Sequence, residues 1–353
     1  MNANPNPRYD FDPYDDLGET LERSLLGRKR EAHRAARARP SQRPNREARI
    51  ASVADQDESL ETGFQTRYQP SRHERAWLYE ALAGFYLRGE ITDVLRMVKG
   101  GKEACVYLCA SPGLGGGLVA AKVYRPRRFR NLRNDARYRR GRENLDAEGK
   151  QLRDDRAQRA IAKGTDRGKQ LAHDSWLAHE LNAMRLLHAA GVDVPEPFDS
   201  GPNVILMGYV GEPEMPAPTL SQVRLPRDEA GPLFERLLFD IERMLECGIV
   251  HGDLSAYNVL YHQGSVTLID FPQVVDPLRN PEARAIFDRD VLRICQYFGA
   301  YGIQADAAAL AQAIWSRALE EDPWSDPQRL PSELSLLEQQ REARELEREL
   351  GEG

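Results

Sequence analysis

Carboxylate and amide side chains lie close together in the segment IVHGDLSAYNVLYHQGSVTLIDFP, residues 249–272. Two short apolar runs in this segment flank a Gln263-Gly264 pair, a pattern that predicts a tight β-hairpin. Asn258 precedes the first run and Asp270 follows the second, so a hairpin would bring both side chains together at its open end, opposite the turn. Mg²⁺ accepts such oxygens as ligands beside phosphate and water. The segment therefore predicts a magnesium site.

Asp253 lies before Asn258 in an Asp-x4-Asn spacing, on a stretch with no regular periodicity. A carboxylate on such a loop can approach a hydroxyl or a water. This spacing, with Asp270 beyond a hairpin, matches the catalytic and metal-binding loops of kinases and predicts phosphoryl transfer from ATP. Each residue alone also has an ordinary interpretation: His251 could be packed, Asp253 could cap a turn and Asp270 could end a strand.

Phosphoryl transfer also needs a cation near the phosphates, and Lys122 in the strand-like VAAKVY is the candidate. Only seven of the 49 Lys and Arg residues are Lys, so a Lys marks a position where the sequence departs from its general preference for Arg. Glu180 borders the apolar face of a following helix, beside Leu177 and Met184, and is the candidate partner of Lys122. The alternatives are a solvated strand Lys and an exposed helical Glu.

The hydrophobic pattern predicts the elements that would position these residues. The predictions in chain order are a helix from about Arg72 to Gly89, a three-stranded antiparallel meander over 91–124, a helix from Asp174 or Ser175 to Gly191, a buried strand over 203–210, a helix from about Glu229 to Cys247 and a helix beginning near Glu282. KGGKEACVY (99–107) is a glycine turn within the meander and a candidate phosphate loop. It is not a Walker loop, because Glu103 follows Lys102.

Three segments have a polar composition that favours disorder or mobility. Residues 1–70 are rich in Asn, Pro, Asp, Arg and Ser and are predicted to be a disordered tail with a basic run at 28–49. The insertion near 125–172 is predicted to be mobile in part. Residues 321–353 are predicted to form a charged helix or tail.

The composition of the 353 residues limits the function classes. A formal charge of −6 indicates no overall affinity for polyanions. No apolar stretch has the length of a membrane helix, and the N-terminus lacks the order of a secretory signal, so we expect a cytoplasmic protein. The four scattered cysteines predict buried free thiols in a reducing compartment rather than a zinc site.

Taken together, these segments resemble the RIO family of atypical protein kinases over roughly residues 72–300. The matching stretches are FYLRGEITDVLRMVKGGKEACVYLC, VAAKVYR, WLAHELNAMRLL, VILMGYVG and IVHGDLSAYNVLYHQGSVTLIDFPQVVD. The resemblance implies an α+β, two-lobed protein-kinase-like fold without a long activation segment. A small antiparallel sheet lobe with one key helix would occupy 71–210, and a mainly helical lobe 211–320.

Position by position, the resemblance implies ATP and Mg²⁺ as ligands. The implied site residues are the catalytic acid/base Asp253 with the Lys122–Glu180 ion pair, the metal ligands Asn258 and Asp270, the phosphate-loop residues Lys102, Glu103 and Val106, and the hinge residues Met207, Tyr209 and Val210. The hinge would read adenine through its backbone. Gly208 stands where an acidic residue is common in the family, which alters ATP affinity at most.

The activity that the resemblance implies is a serine/threonine protein kinase that modifies itself or another protein. Because no peptide platform follows IDFPQVVDPLRNP, an ATPase switch with transient phosphate on Asp270 is a second expectation. Small-molecule phosphotransferases of the aminoglycoside and choline kinase type share H-G-D-x4-N and I-D-F, although GKEA and DFP weigh against that class. A nucleotide-binding scaffold is the third alternative. The Arg-rich composition suggests a bacterial member.

Archaeal and eukaryotic relatives suggest a ribosomal or RNA partner, which the Arg-rich tail would suit. A solvated tail is the alternative, because no aromatic residues interleave the arginines. If the tail binds RNA, deletion of residues 1–70 is expected to weaken a salt-sensitive association, since Lys and Arg on phosphates release counterions. Binding measured over a series of salt concentrations checks this, and unchanged affinity would remove the RNA role.

Overall fold

The computed structural model describes residues 66–101, 103–125, 142–146 and 149–319, all of which fall in one compact unit. A small antiparallel sheet with its helices forms one lobe, and helices around a two-stranded hairpin form the other. The expected two-lobed α+β kinase-like fold is therefore confirmed.

The described residues contain six α-helices, one 3₁₀ helix (Leu220–Gln222) and seven strands. The helices are α1 (Arg72–Leu87), α2 (Asp155–Ala162), α3 (Asp166–Ala189), α4 (Arg227–Glu246), α5 (Ala283–Gly299) and α6 (Ala307–Leu319). The strands are β1 (Asp93–Gly100), β2 (Ala104–Ser111), β3 (Gly117–Tyr124), β4 (Pro197–Gly201), β5 (Val204–Gly208), β6 (Val259–His262) and β7 (Ser265–Leu268).

The five-stranded sheet has the order β1-β2-β3-β5-β4, with antiparallel neighbours throughout. Strands β1 to β3 form the predicted meander, and β5 lies within the predicted strand 203–210. Strand β4 was not predicted, because PFDSG has no alternation of apolar and polar residues. It begins with Pro197 and lies at the sheet edge, where a residue without an N–H is tolerated.

Alternating residues of β3 face opposite sides of the sheet. Val119, Ala121 and Val123 pack in a core with residues of α1 such as Leu82 and Phe85. The intervening Ala120 and Tyr124 join the second core, to which α3 contributes Leu177, Leu181 and Met184. The sheet therefore lies between α1 and α3, and Lys122 belongs to the side that faces α3.

Helix α3 begins at Asp166 rather than at Asp174 or Ser175, which corrects the predicted boundary. Thr165 caps the earlier start, since its hydroxyl accepts the N–H of Gly168 at 3.0 Å. The first turns are mostly polar, so the hydrophobic pattern did not reveal them. Within the predicted mobile insertion, residues 155–162 thus form α2 and residues 166–172 form the start of α3.

The N-terminal boundary also differs from the prediction. Residues 66–70 belong to the described chain, and the Tyr68 N–H donates to Val94 C=O at 2.9 Å, so the predicted disorder is wrong for this short stretch. The remainder of the tail, residues 126–141 of the insertion, the C-terminal segment 321–353 and Lys102 lie outside the described residues.

The second lobe is built on α4, α5 and the β6–β7 hairpin. Buried residues of these elements, including Leu237, Ile241, Val259 and Phe298, belong to one core. Only residues 271–282 connect Asp270 to α5, which confirms the expected short segment and the helix near Glu282.

The four cysteines are buried and free, as predicted. Cys105 and Cys109 belong to the core beside α1, and Cys247 and Cys295 belong to the second core. Within the described residues, no helix combines the length and apolarity needed to cross a membrane.

Gly168 permits the close approach of α2 and α3, because a Cβ there would overlap the backbone carbonyl of Ala160. Gly168→Ala is expected to lower the free energy of unfolding by about 1–3 kcal/mol, since backbone cannot move aside cheaply. Gly84→Ala in α1 is the matched control, because its Cβ would meet only the flexible Arg88 side chain at 3.5 Å. The control should gain about 0.5–1 kcal/mol. Urea unfolding measures both, and equal effects would contradict the packing argument.

Candidate functional site

Strand β3 presents Lys122 to helix α3. The Lys122 Nζ lies 2.6 Å from Glu180 Oε1, so the predicted ion pair is present. Lys122 is 8% exposed and Glu180 1% exposed. Glu180 shares the buried face of α3 with Leu177, Leu181 and Met184, which explains how a carboxylate reaches the sheet. Burial makes the pairing mandatory, because either charge alone would be costly to remove from water.

Tyr124 is a further partner of Glu180 that the sequence analysis missed. Its hydroxyl donates to Glu180 Oε2, and its ring centroid lies 5.3 Å from Lys122 Nζ. Burial and the neighbouring Glu180 raise the pKa of Tyr124, so the phenol stays a neutral donor. The available signal was its position two residues after Lys122, which places both side chains on one face of the strand.

The hairpin predicted from Gln263-Gly264 is present. These residues have φ of 50° and 77°, the left-handed pair that a two-residue hairpin turn requires. Val259 pairs with Leu268, and beyond that pair the Ile269 N–H donates to Asn258 C=O at 3.0 Å. Asn258 and Asp270 therefore flank the same end of the ladder.

Asp270 leaves the hairpin with φ of 75°, an unusual conformation for a residue with a Cβ. Its Oδ1 lies 2.5 Å from Lys122 Nζ, a contact that the sequence analysis did not predict. The protein around Asp270 acts to raise the pKa of this carboxyl even though its side chain is 44% exposed, but Lys122 outweighs this effect and holds that pKa below its usual range. Likewise, burial opposes the charge of Lys122, and Asp270 and Glu180 raise its pKa. The lobes thus meet through charged groups.

Asn258 and Asp253 are directly connected. The Asn258 Nδ2 donates to the Asp253 backbone carbonyl at 2.8 Å and approaches Asp253 Oδ2 at 3.3 Å. This orientation leaves the Asn258 amide oxygen as its ligand atom. One amide oxygen and one carboxylate near the Lys122 ammonium are hard donors suited to Mg²⁺, which needs only one or two protein ligands beside phosphate.

The loop that carries Asp253 is fixed from two sides. The His251 Nε2 donates to Ile269 C=O at 3.1 Å, while its Nδ1 accepts the Asp253 N–H at 3.3 Å. The buried Asp290 of α5 accepts the Gly252 N–H at 2.9 Å. Asp290 is another residue that the sequence analysis missed, because nothing in the helical pattern distinguishes a site-facing carboxylate. Arg293 of α5, also missed, lies 2.8 Å from Asp253 Oδ1.

The candidate phosphate loop is the turn between β1 and β2. The Gly101 N–H donates to Ala104 C=O at 2.9 Å, and Glu103 C=O accepts the Arg125 N–H at 2.8 Å. Val106 lies in register with both Lys99 and Lys122, so these three residues share the sheet face of the site. Lys99 was missed, although its charge contributes to the low pKa of Asp270.

The candidate hinge follows β5, with Met207 opposite Ala120. Two of its backbone groups are already engaged, since the Gly208 N–H donates to Glu196 C=O at 2.8 Å and Val210 C=O accepts from Ala217 at 3.0 Å. The Tyr209 side chain is engaged as well, because its hydroxyl donates to Glu212 C=O at 2.9 Å. Adenine contacts would therefore depend on the other backbone groups of this stretch.

A small sheet lobe and a helical lobe that meet at a Lys between two carboxylates define the class of protein-kinase-like phosphotransferases. Within that class, the family model described as the RIO domain matches residues 115–310, more than half of the chain. The chain therefore belongs to the RIO family of serine/threonine protein kinases, as the resemblance implied. This assignment disfavours the small-molecule phosphotransferase alternative.

Several curated proteins are similar to this chain. RIO-type serine/threonine-protein kinase Rio1 of Thermoplasma acidophilum is 32% identical over 39% of this chain and 72% of the relative. Rio1 of Haloferax volcanii is 30% identical over 46% of this chain and 57% of the relative. Human serine/threonine-protein kinase RIO1 is 28% identical over 60% of this chain and only 34% of the relative. These relatives are archaeal and eukaryotic, so a bacterial source stays a prediction.

Among solved structures, two of a Rio2 kinase are similar to this chain at low sequence identity. The Rio2 kinase–ADP/Mg²⁺–phosphoaspartate complex from Chaetomium thermophilum has a TM-score of 0.47 and 20% identity to this chain, covering 84% of this chain and 85% of that one. The Rio2 kinase from the same organism has a TM-score of 0.46 and 21% identity.

Tyr124→Phe removes one hydrogen bond from the buried Glu180 carboxylate. We expect the free energy of unfolding to fall by about 1–3 kcal/mol, since a buried charge loses a donor, and ATP turnover to fall with it. Tyr261→Phe is the control, because Tyr261 also donates to a carboxylate, Glu229 at 2.5 Å, but in a less buried setting. Urea unfolding and phosphate release measure the two effects; a larger effect at Tyr261 would contradict the role of Tyr124.

Proposed function

We propose that the chain binds Mg–ATP between its lobes and transfers the γ-phosphoryl group to a serine or threonine hydroxyl of a protein, itself included. One observation carries this proposal: Lys122 Nζ contacts Glu180 of one lobe at 2.6 Å and Asp270 of the other at 2.5 Å. A pre-positioned ammonium at a lobe junction is suited to polyphosphate, because phosphoryl transfer depends mainly on positioning and charge stabilisation. We place the junction at residues 210–211, between the proposed lobes 71–210 and 211–320.

The remaining roles follow from the positions of the side chains. Lys122 would bind the α- and β-phosphates while Glu180 and Tyr124 hold its ammonium in place. Asn258 and Asp270 would hold Mg²⁺, which would neutralise negative charge on the phosphates. Lys102, Glu103 and Val106 would cover the phosphates and base, and Met207, Tyr209 and Val210 would line the adenine site. Lys99, on the same sheet face as Val106, adds a second cation to this set.

Asp253 is the proposed acid/base. A serine or threonine hydroxyl placed against its carboxylate would lose its proton to Asp253 as the oxygen attacks phosphorus. The hydrogen bond that the Asp253 N–H donates to His251 and the one that its carbonyl accepts from Asn258 support this role, because they fix the loop that carries the carboxylate. Asp253 also lies beside the Asn258 ligand position, where the transferred group would be.

ATP hydrolysis is the second candidate activity, because the short segment 271–282 offers little platform for a peptide acceptor. Water would then take the place of the hydroxyl, or the Asp270 carboxylate would hold the phosphoryl group transiently. An RNA or ribosomal partner for the Arg-rich tail and a cytoplasmic location belong to the same proposal.

The deciding experiment follows γ-phosphate from radiolabelled ATP with Mg²⁺ and the protein alone. Asp253→Ala is expected to lower label transfer about 10²–10⁴-fold, the usual contribution of a general base. Asp228→Ala, which removes an exposed carboxylate in the first turn of α4, should leave transfer unchanged.

The chemistry of the product distinguishes the two activities. Acid-stable label on wild type indicates a serine or threonine acceptor, acid-labile label indicates Asp270, and phosphate release without label indicates an ATPase. Full turnover by Asp253→Ala would overturn the proposed acid/base, and a wild-type protein without turnover would overturn the proposed function.

A further inference from the structure

We infer that Arg293 is a positioning residue for Asp253: its guanidinium holds one carboxylate oxygen so that the other is directed toward the acceptor hydroxyl. The inference rests on the proposed function, because it assigns a partner to the proposed acid/base. Nothing in the motif around Asp253 points to Arg293, which lies 40 positions later in the chain on helix α5. The side chains meet only in the folded structure.

The geometry of the pair carries the inference. Arg293 Nη1 lies 2.8 Å from Asp253 Oδ1, a normal length for a charge-assisted hydrogen bond. The other oxygen, Oδ2, has a longer contact of 3.3 Å with Asn258 Nδ2, whose shorter bond of 2.8 Å goes to the Asp253 backbone carbonyl. Oδ1 is therefore the anchored oxygen, and Oδ2 is the one that can exchange partners.

Arg293 belongs to a set of α5 residues that hold the same loop. Arg289 donates to the Gly252 carbonyl, and the adjacent Asp290 accepts the Gly252 N–H at 2.9 Å. Arg293 follows Arg289 by one helical turn, so both guanidinium groups lie on one face of α5. The helix thus fixes the backbone of Gly252 and the side chain of Asp253 together, through three side chains.

Gly252 explains why the loop cannot move away from this helix. It has φ of 88°, and a Cβ at this position would overlap the carbonyl oxygen of Gln273. The loop is therefore confined between residue 273 and α5. In this confined loop, the χ torsions of Asp253 are the main remaining freedom, and Arg293 restricts them.

Energetics separate a positioning role from a stabilising one. The Arg293 and Asp253 side chains are 39% and 41% exposed, and half-exposed ion pairs contribute little to folding. In contrast, misplacement of a catalytic group by about 1 Å can lower turnover on the order of 10²-fold. Loss of Arg293 should therefore affect turnover far more than stability.

The proton balance assigns Arg293 no chemical step. The acceptor O–H proton moves to Asp253 Oδ2, the acceptor oxygen forms a bond to the γ-phosphorus, and the bond to the β–γ bridging oxygen breaks with its electron pair leaving on ADP. Arg293 keeps its protons throughout, because a guanidinium does not deprotonate in proteins. Its contribution is the orientation of the carboxylate.

The test compares Arg293→Gln and Arg293→Lys with a matched control, Arg284→Gln. Arg284 is on the same helix and pairs with Asp288 at the same 2.8 Å, with 37% and 46% exposed side chains, away from the loop. Arg293→Gln is expected to lower kcat about 10- to 100-fold with little change in KM for Mg–ATP. Arg293→Lys should recover part of kcat, and Arg284→Gln should retain wild-type kcat. Label transfer or phosphate release, whichever the wild type performs, provides the rate, and thermal unfolding of each variant confirms folding.

Failure of the Arg293 inference can be distinguished from failure of the acid/base role proposed for Asp253. If Arg293→Gln retains wild-type kcat, or raises KM without lowering kcat, the positioning role is overturned, even if Asp253→Ala is inactive. A Lys variant no more active than the Gln variant would also overturn it. If Asp253→Ala retains full turnover, the proposed acid/base itself is wrong, and the role of Arg293 is lost with it.

Discussion

The architecture of the site depends on the neutralisation of one buried ammonium. Lys122 lies almost wholly out of water, where an unpaired charge would be strongly destabilising. Its pairing with Glu180 ties β3 to α3, and its pairing with Asp270 ties the sheet to the end of the hairpin. The position of α3, the conformation of Asp270 and the approach of the two lobes all follow from this need to supply negative charge.

A second constraint acts on the backbone of the loop that carries Asp253. Gly252 occupies a conformation that only a glycine adopts readily, and α5 satisfies both its N–H and its C=O through Asp290 and Arg289. Burial raises the pKa of Asp290, and the neighbouring His251 and Arg289 counteract that effect. The loop that carries Asp253 is therefore held by side chains of α5, and this helix contributes to the geometry of the site together with the hairpin.

The sequence predicted those parts of the molecule that are encoded locally. The hairpin, the meander, the buried face of α3 around Glu180 and the spacing of Asp253, Asn258 and Asp270 all follow from short-range patterns. Tyr124, Asp290 and Arg293 were missed because their roles depend on which distant element packs beside them. The start of α3 and the strand β4 were missed for a related reason: a side-chain cap and an edge position stabilise them without leaving a hydrophobic period.

The two carboxylate partners of Lys122, Glu180 and Asp270, differ in their exposure to solvent. Glu180 is 1% exposed and accepts hydrogen bonds from Lys122 and Tyr124, so it is the fixed counterion of the ammonium. Asp270 carries a half-exposed side chain and shares the same ammonium. Phosphate oxygens near Lys122 would compete with Asp270 but not with Glu180, while a divalent cation would give Asp270 a replacement partner. Under the proposed function, an ammonium with one fixed and one exchangeable carboxylate would accept nucleotide and metal together without leaving any of its charges unpaired.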